Sequence, residues 1–397
     1  MKSVVVLLIL SSCIGINEAV EDSLVFVYTI FRHGDRTPET NNLYPTSQYY
    51  NESFFMPYGF GQLTNKGKLT AFKVGQELRE RYKGFLDETY NIKLIDARSS
   101  DFNRTKASLQ VMLAGLFPPT EELVWLEGMN WQPIATTYVE RTSDKELFCF
   151  GCPAWDPNYD DFQYSAQGRA LLKGNENIFE YITNKTGKTY RQVLDVYFLY
   201  FGFAILESLN ETLPEWSKSV YPEKMANMLG IHYDYMTSTP ILRQMAAGYL
   251  LKEILEDIDD KISDKFPVKK MSIICGHENN IAALLRVLDI NEGYNSLPPY
   301  GGYILFELHR KDSQYGIKIF YQNYKTAEPK LMKLPECQEF CPLEKFKQIV
   351  EKDIPVSDEV CRPKSAASGN LPLQSIIIFV VSSIVIFNSS TFIEFGK

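Results

Sequence analysis

The sequence predicts an α/β fold: a mostly parallel central sheet flanked by helices, with an inserted, mostly helical cap domain. Three observations carry this reading. Helix-like and strand-like stretches alternate through the first third of the 397-residue chain. Three apolar stretches each end in a charged turn and then run into a helix-like stretch. From about Trp131 to Pro240 the alternation stops and aromatic, helix-like segments replace it. Residues 22–130 and 241–345 are assigned to the α/β domain, and 131–240 to a cap overhanging the sheet. The Tyr- and Phe-rich stretch QVLDVYFLYFGFAILESL has helical spacing, so it reads as core rather than as a cofactor pocket.

The first apolar stretch, LVFVYTIF, ends in Arg32 and His33, with Arg36 close behind. The second, IKLIDARSSDFN, runs into Arg104 and the helix-like KASLQVMLAGLF. The third, MSIIC, ends in Gly276, His277 and Glu278 before NNIAALLRVL. Ligands of open α/β sheets bind beyond the carboxyl ends of the strands. If the three strands are neighbours, Arg32, His33, Arg36, Arg104, His277 and Glu278 converge in one crevice. Helix N-termini there add N–H groups and a dipole that favours an anion. Gly34 and Gly276 suit tight turns and close backbone approach. His232 and His309 lack such a context and read as structural or surface residues.

The formal net charge is −8 and no long basic run is present, which argues against nucleic acid as a partner. Any bound anion must therefore be held by a local cluster of cations. Lys2 followed by SVVVLLILSSCIG reads as a signal peptide, residues 1–19. After an extension, 346–370, the tail 371–393 reads as a lipid-anchor signal or a single transmembrane segment. Its uninterrupted apolar run is shorter than the ~20 residues a bilayer requires. The expected setting is the secretory pathway, with an extracellular, cell-surface or lysosomal destination and a C-terminal membrane tether.

An exported chain permits disulfides. Cys337 and Cys341 bracket a short turn-like segment and are expected to pair, while Cys361 is expected to reach Cys149 or Cys152. The zinc reading of CFGC lacks a second ligand pair, and Cys275 lies in an apolar run as a buried free thiol. Asn51, Asn184 and Asn210 are glycosylation acceptors. Asn103 also matches the acceptor pattern but precedes Arg104, which is expected to face a ligand, so no glycan is expected there.

The chemistry that suits three arginines and a histidine is phosphoryl transfer. Its transition state spreads charge over equatorial oxygens, and a guanidinium fork donates two hydrogen bonds to phosphate. Neighbouring cations disfavour imidazolium, so His33 stays neutral and nucleophilic in acid. Glu278 is the nearest group that can protonate the leaving alkoxide. A neutral His33 and a protonated Glu278 imply an acid pH optimum, with no metal or other cofactor.

RHGDRTP followed far downstream by GHE resembles the histidine acid phosphatases, the second branch of the histidine phosphatase superfamily. The resemblance runs from about Leu24 to Leu343 and includes YGFGQLTNKGK, DFNRTKASLQ, WQPIA, PPYGGY and PECQEFCPLEKF. It is similar to the prostatic, lysosomal and insect venom branches. It implies a phosphohistidine intermediate at His33, phosphate binding by Arg32, Arg36, Arg104 and His277, and proton donation by Glu278. It also implies a capped α/β fold, homodimers, and small phosphate monoesters or phosphoproteins as substrates. Most of the family has His-Asp where this chain has His277-Glu278, a donor longer by roughly 1.5 Å. Two other readings are a phytase-like phosphatase for highly phosphorylated substrates and a catalytically weak binding protein on the same fold.

Overall fold

The computed structural model describes residues 23–291 and 297–363. The expected signal peptide, 1–19, the apolar tail and residues 364–370 of the extension lie outside the described residues. Among the described residues, no helix is long and apolar enough to cross a membrane.

Among the described residues eight strands form one mixed sheet: β1 Ser23–Arg32, β2 Ile95–Ser99, β3 Thr137–Tyr138, β4 Met271–Gly276, β5 Tyr303–Lys311, β6 Gln314–Gln322, β7 Lys330–Met332 and β8 Cys341–Pro342. Their order is β3-β2-β4-β1-β5-β6-β7, with β8 also paired to β6. The half from β3 to β1 is parallel. From β1 outward through β5, β6 and β7 the pairing is antiparallel. β5 returns directly into β6 through Asp312 and Ser313, both at positive φ, a two-residue turn that makes those two strands antiparallel neighbours.

Helices α1 (Asn65–Arg81) and α2 (Asn103–Leu116) follow β1 and β2. Between β3 and β4 come α3 (Trp155–Gln163), α4 (Ala166–Leu172), α5 (Asn177–Thr186), α6 (Val193–Ser208), α7 (Glu223–Met236), α8 (Pro240–Arg243) and α9 (Tyr249–Ile262). A π-helical turn, Gln244–Gly248, joins α8 to α9. Then α10 (Glu278–Val287) follows β4, and α11 (Leu343–Val350) follows β8. Thus β3, inside the 131–240 stretch, belongs to the sheet, and the remainder of that stretch is helical or irregular.

Strand β1 explains why the sheet sits in the middle. Successive side chains point to opposite faces, and both faces are covered. Phe26, Tyr28 and Ile30 pack into a core shared with α6, α7, α9 and α10. Val27 and Phe31 pack into a second core with α1 and α2. A strand buried on both faces reads as a continuous apolar run, which is what the sequence has.

Cys337 is bonded to Cys341 and Cys152 to Cys361, while Cys149 and Cys275 are free. Cys275 is fully buried in β4. Asn51, Asn103, Asn184 and Asn210 are all exposed.

Candidate active site

Strands β2, β4 and β1 lie side by side and end together, with Arg32 level with Gly276 and Ser99 with Cys275. The three charged turns therefore meet at one edge. The His33 N–H donates to the Gly276 carbonyl at 3.1 Å. The next turn is held against α1 so tightly that a Cβ on Gly34 would sit 2.0 Å from the Gly67 carbonyl oxygen. Only glycine fits there, which fixes where His33 points.

His33 is 1% exposed. Its Nδ1 lies 2.8 Å from the Gly34 carbonyl. A carbonyl only accepts, so Nδ1 carries the proton and Nε2 presents its lone pair. Arg104 Nε donates to that Nε2 at 3.2 Å. Burial, then Arg104, His277, Arg32 and Arg36, hold the imidazole well below its ordinary pKa. A neutral ring with a lone pair aimed among guanidinium groups is a nucleophile set beside an anion site.

Each arginine is fixed differently. Arg32, 1% exposed, donates from NH1 to the Pro298 carbonyl at 2.7 Å and lies under the Tyr300 ring at 3.8 Å. Arg36 donates to the Thr37 carbonyl and to Asn42 Oδ1, both at 3.0 Å. Arg104, in the first turn of α2, stacks on Phe102 at 4.1 Å. It also donates to Glu39 Oε1 at 2.9 Å. Burial, with Arg36 nearby, lowers the Arg104 pKa to about 10. His277 caps α10, and its Nε2 shares a 2.8 Å hydrogen bond with Ser100 Oγ. Its ring lies edge-on to that of His33, centroids 5.4 Å apart, and burial followed by Arg104 lowers its pKa to about 3.

Glu278 opens α10. Its Oε2 is 3.1 Å from Arg32 Nε, and its Oε1 accepts from the Tyr197 hydroxyl at 2.5 Å. Burial alone would raise its pKa. Arg32, His277 and the Tyr197 hydrogen bond outweigh burial and hold it at about 2. Glu278 is therefore a carboxylate in the resting site, not the protonated acid that the sequence suggested for acid pH. Tyr197→Phe should raise the Glu278 pKa, because a donor that favours the carboxylate is lost. Infrared titration of the carboxyl band reads this directly, and an unmoved titration would exclude the hydroxyl from control of Glu278.

All six expected residues, Arg32, His33, Arg36, Arg104, His277 and Glu278, thus come together. Four others escaped the sequence reading: Glu39, Ser100, Tyr197 and Tyr300. Tyr197 lies within the stripe read as core, and it is buried, yet its hydroxyl touches the site. His232, expected to be a structural or surface residue, is buried with Nδ1 2.7 Å from the Tyr159 hydroxyl, and it also lines the same cavity. That cavity, of about 590 Å³, is also lined by Phe102, Phe148 and Phe201.

His33, His277 and Glu278 bring potential ligand atoms within 4.8 Å of one another, a spacing a metal ion could use. Three guanidinium groups surround them, and their field repels a cation and holds an anion. The donor set fits phosphate better than a divalent ion.

The profile of the histidine phosphatase superfamily, branch 2, matches residues 23–322. The venom acid phosphatase of Apis mellifera is 33% identical over 377 residues, 94% of this chain and 95% of that protein. The lysosomal acid phosphatase of Homo sapiens is 28% identical over 372 residues, 92% and 86% of the two chains. Among solved structures, the Hafnia alvei phytase in complex with myo-inositol hexakis sulphate superposes with a TM-score of 0.62. It shares 18% identity and covers 86% of this chain and 99% of its own. The phytase from Citrobacter braakii gives 0.61 at 18% identity, over 86% and 100% of the two chains, which extends the likeness in fold. The chain belongs to branch 2 of the histidine phosphatase superfamily.

Proposed function

We propose that the protein is a metal-independent acid phosphatase that hydrolyses phosphate monoesters through a phosphohistidine on His33. The observation that carries this is the unprotonated Nε2 of a buried, neutral imidazole, which accepts a hydrogen bond from Arg104 Nε at 3.2 Å. Arg32, Arg36, Arg104 and His277 hold the phosphate oxygens, and Nε2 attacks phosphorus as the ester oxygen departs. Water then attacks the phosphohistidine, returning His33 and releasing inorganic phosphate. Turnover of a labelled ester at pH 5, stopped by a rapid alkaline quench in which a phosphohistidine survives and followed by peptide mapping, should place the label on His33. A label elsewhere refutes the assignment.

The departing alkoxide requires a proton that resting Glu278, at about 2, does not hold. A monoester below about pH 6 is a monoanion and brings one proton with it. Phosphate beside Glu278 adds negative charge and raises the carboxyl pKa, so the proton passes to Glu278 and from there to the leaving oxygen. We therefore expect kcat/KM to be flat from pH 3 to 5 and to fall roughly tenfold per unit above about 6. Esters with different second ionisations should shift that limb in parallel. A limb that stays fixed would assign the titration to the protein instead. Glu278→Gln should slow alkyl esters about 10²-fold or more, yet slow p-nitrophenyl phosphate far less, because p-nitrophenolate leaves unaided. Equal slowing of both removes Glu278 from the donor role.

The helical part of 131–240 acts in this reading as a cap that chooses the leaving group. Signal peptide, disulfides and exposed Asn51, Asn184 and Asn210 fit export through the secretory pathway. The venom, lysosomal and prostatic names of the relatives support that route. Tethering through the tail and assembly as a homodimer remain parts of the same proposal, tested by phase partitioning and by sedimentation.

A further inference from the structure

We infer that the leaving-group side of this site selects phosphate monoesters of alcohols that carry a positive charge, an ammonium or quaternary ammonium group. The inference rests on the phosphatase reading above and narrows its substrate class.

The key residue is Glu39, directly after the RHGDRTP segment. Its carboxylate is 2.9 Å from Arg104 NH1 and 4.0 Å from Arg36 NH2, and it lines the cavity. Arg104 in turn donates to His33 Nε2. A carboxylate thus stands one guanidinium away from the nucleophile, on the cation that the phosphate must use. When phosphate takes up the Arg104 donors, Glu39 loses its counter-charge inside a partly desolvated cleft. A cation on the substrate restores that charge, whereas a second anion adds to the repulsion.

The rest of the wall points the same way. Outside the phosphate site the cavity lining holds no Lys or Arg, but it holds Asp156 and Asp160, one turn apart on α3. Neither carboxylate forms an ion pair among the described residues. Aromatic rings continue the wall outward from His277. Phe148 lies 5.4 Å from the His277 ring, and Phe150 stacks on Phe148 at 4.8 Å. Aromatic faces beside carboxylates are the surroundings that bind quaternary ammonium groups. Independently, His232 lines the same cavity and its buried Nε2 has no partner among the described residues, a polar atom that a ligand group would satisfy.

The test compares phosphocholine with its uncharged isostere, 3,3-dimethylbutyl phosphate, by kcat/KM at pH 5. Shape and phosphate are shared, so the ratio isolates the charge. A preference of about fivefold or more for phosphocholine is expected. Glu39→Gln should lower it towards one, and Asp156→Asn with Asp160→Asn should lower it in a protein whose Glu39 is intact. A ratio at or below one in an enzyme that turns over p-nitrophenyl phosphate overturns the inference and leaves the phosphatase reading standing. A preference that survives in both variants overturns it too. Absence of turnover on every ester fails the underlying reading itself.

Discussion

His33→Ala should reduce kcat on p-nitrophenyl phosphate by about 10⁵-fold, the scale on which loss of a catalytic nucleophile acts. The geometry explains why no neighbour substitutes. His277 is the other imidazole at the site, and its Nε2 is engaged with Ser100 Oγ. The remaining groups are guanidinium ions, neutral hydroxyls and carboxylates paired with arginine. The substitution should leave the fold intact. The ring is neutral in the resting state, and its one fixed donor bond runs to the adjacent Gly34 carbonyl. Steady-state kinetics with thermal melting separate the two effects. Residual activity above a trace in a normally melting variant would overturn the nucleophile assignment, because the arginine ring alone would then suffice.

Arg32→Leu should be the change at the site most damaging to stability, and it should lower activity as well. Arg32 ties Glu278, the Pro298 carbonyl and the Tyr300 ring together with almost no exposure. Without it, one equatorial phosphate oxygen loses its donors, and kcat/KM should fall about 10³-fold. Glu278 would also be left as a buried charge without its partner, at a cost of about 3–5 kcal/mol near neutral pH. The sign of the pH dependence distinguishes this loss from simple cavity formation. In the parent, the depressed Glu278 pKa stabilises the fold above the ordinary carboxyl range, and that contribution is lost only as pH falls towards about 2. In the variant, burial raises the pKa, so the carboxyl is neutral at pH 4 and charged at pH 7. The Tm deficit should therefore be larger at pH 7 than at pH 4. An equal deficit at the two values would show that the ion pair is not what was lost.

The parts of the site written at strand ends were legible in the sequence. Arg32, Arg104 and His277 each follow an apolar stretch and precede a helix, so local order alone suggests a shared edge. Glu39, Tyr197 and Tyr300 were not legible in this way. Tyr197 meets Glu278 across 81 residues of sequence, from a helix whose other side chains make ordinary core. No local pattern distinguishes a buried phenol that packs from one that also donates. The ionisation of Glu278 was hidden for the same reason: it depends on which oxygen faces Arg32 and which faces Tyr197. The β5–β6 hairpin was not legible because its turn, Asp312-Ser313, lacks the glycine that usually marks such a hairpin.

The bond between Cys152 and Cys361 closes a loop spanning 209 positions. By chain-entropy reasoning a bridge of that length stabilises the fold by about 5 kcal/mol. One of its ends lies two residues beyond Phe150, on the rim of the cleft. The other lies two residues before the last described position. The mouth of the enzyme and the departure point of its C-terminal segment are consequently clasped together. Thiol reductants should loosen both at once and lower activity. Any surface that captured the chain by that segment would hold the mouth close against it, so the catalyst would sample what collects there rather than what diffuses in bulk.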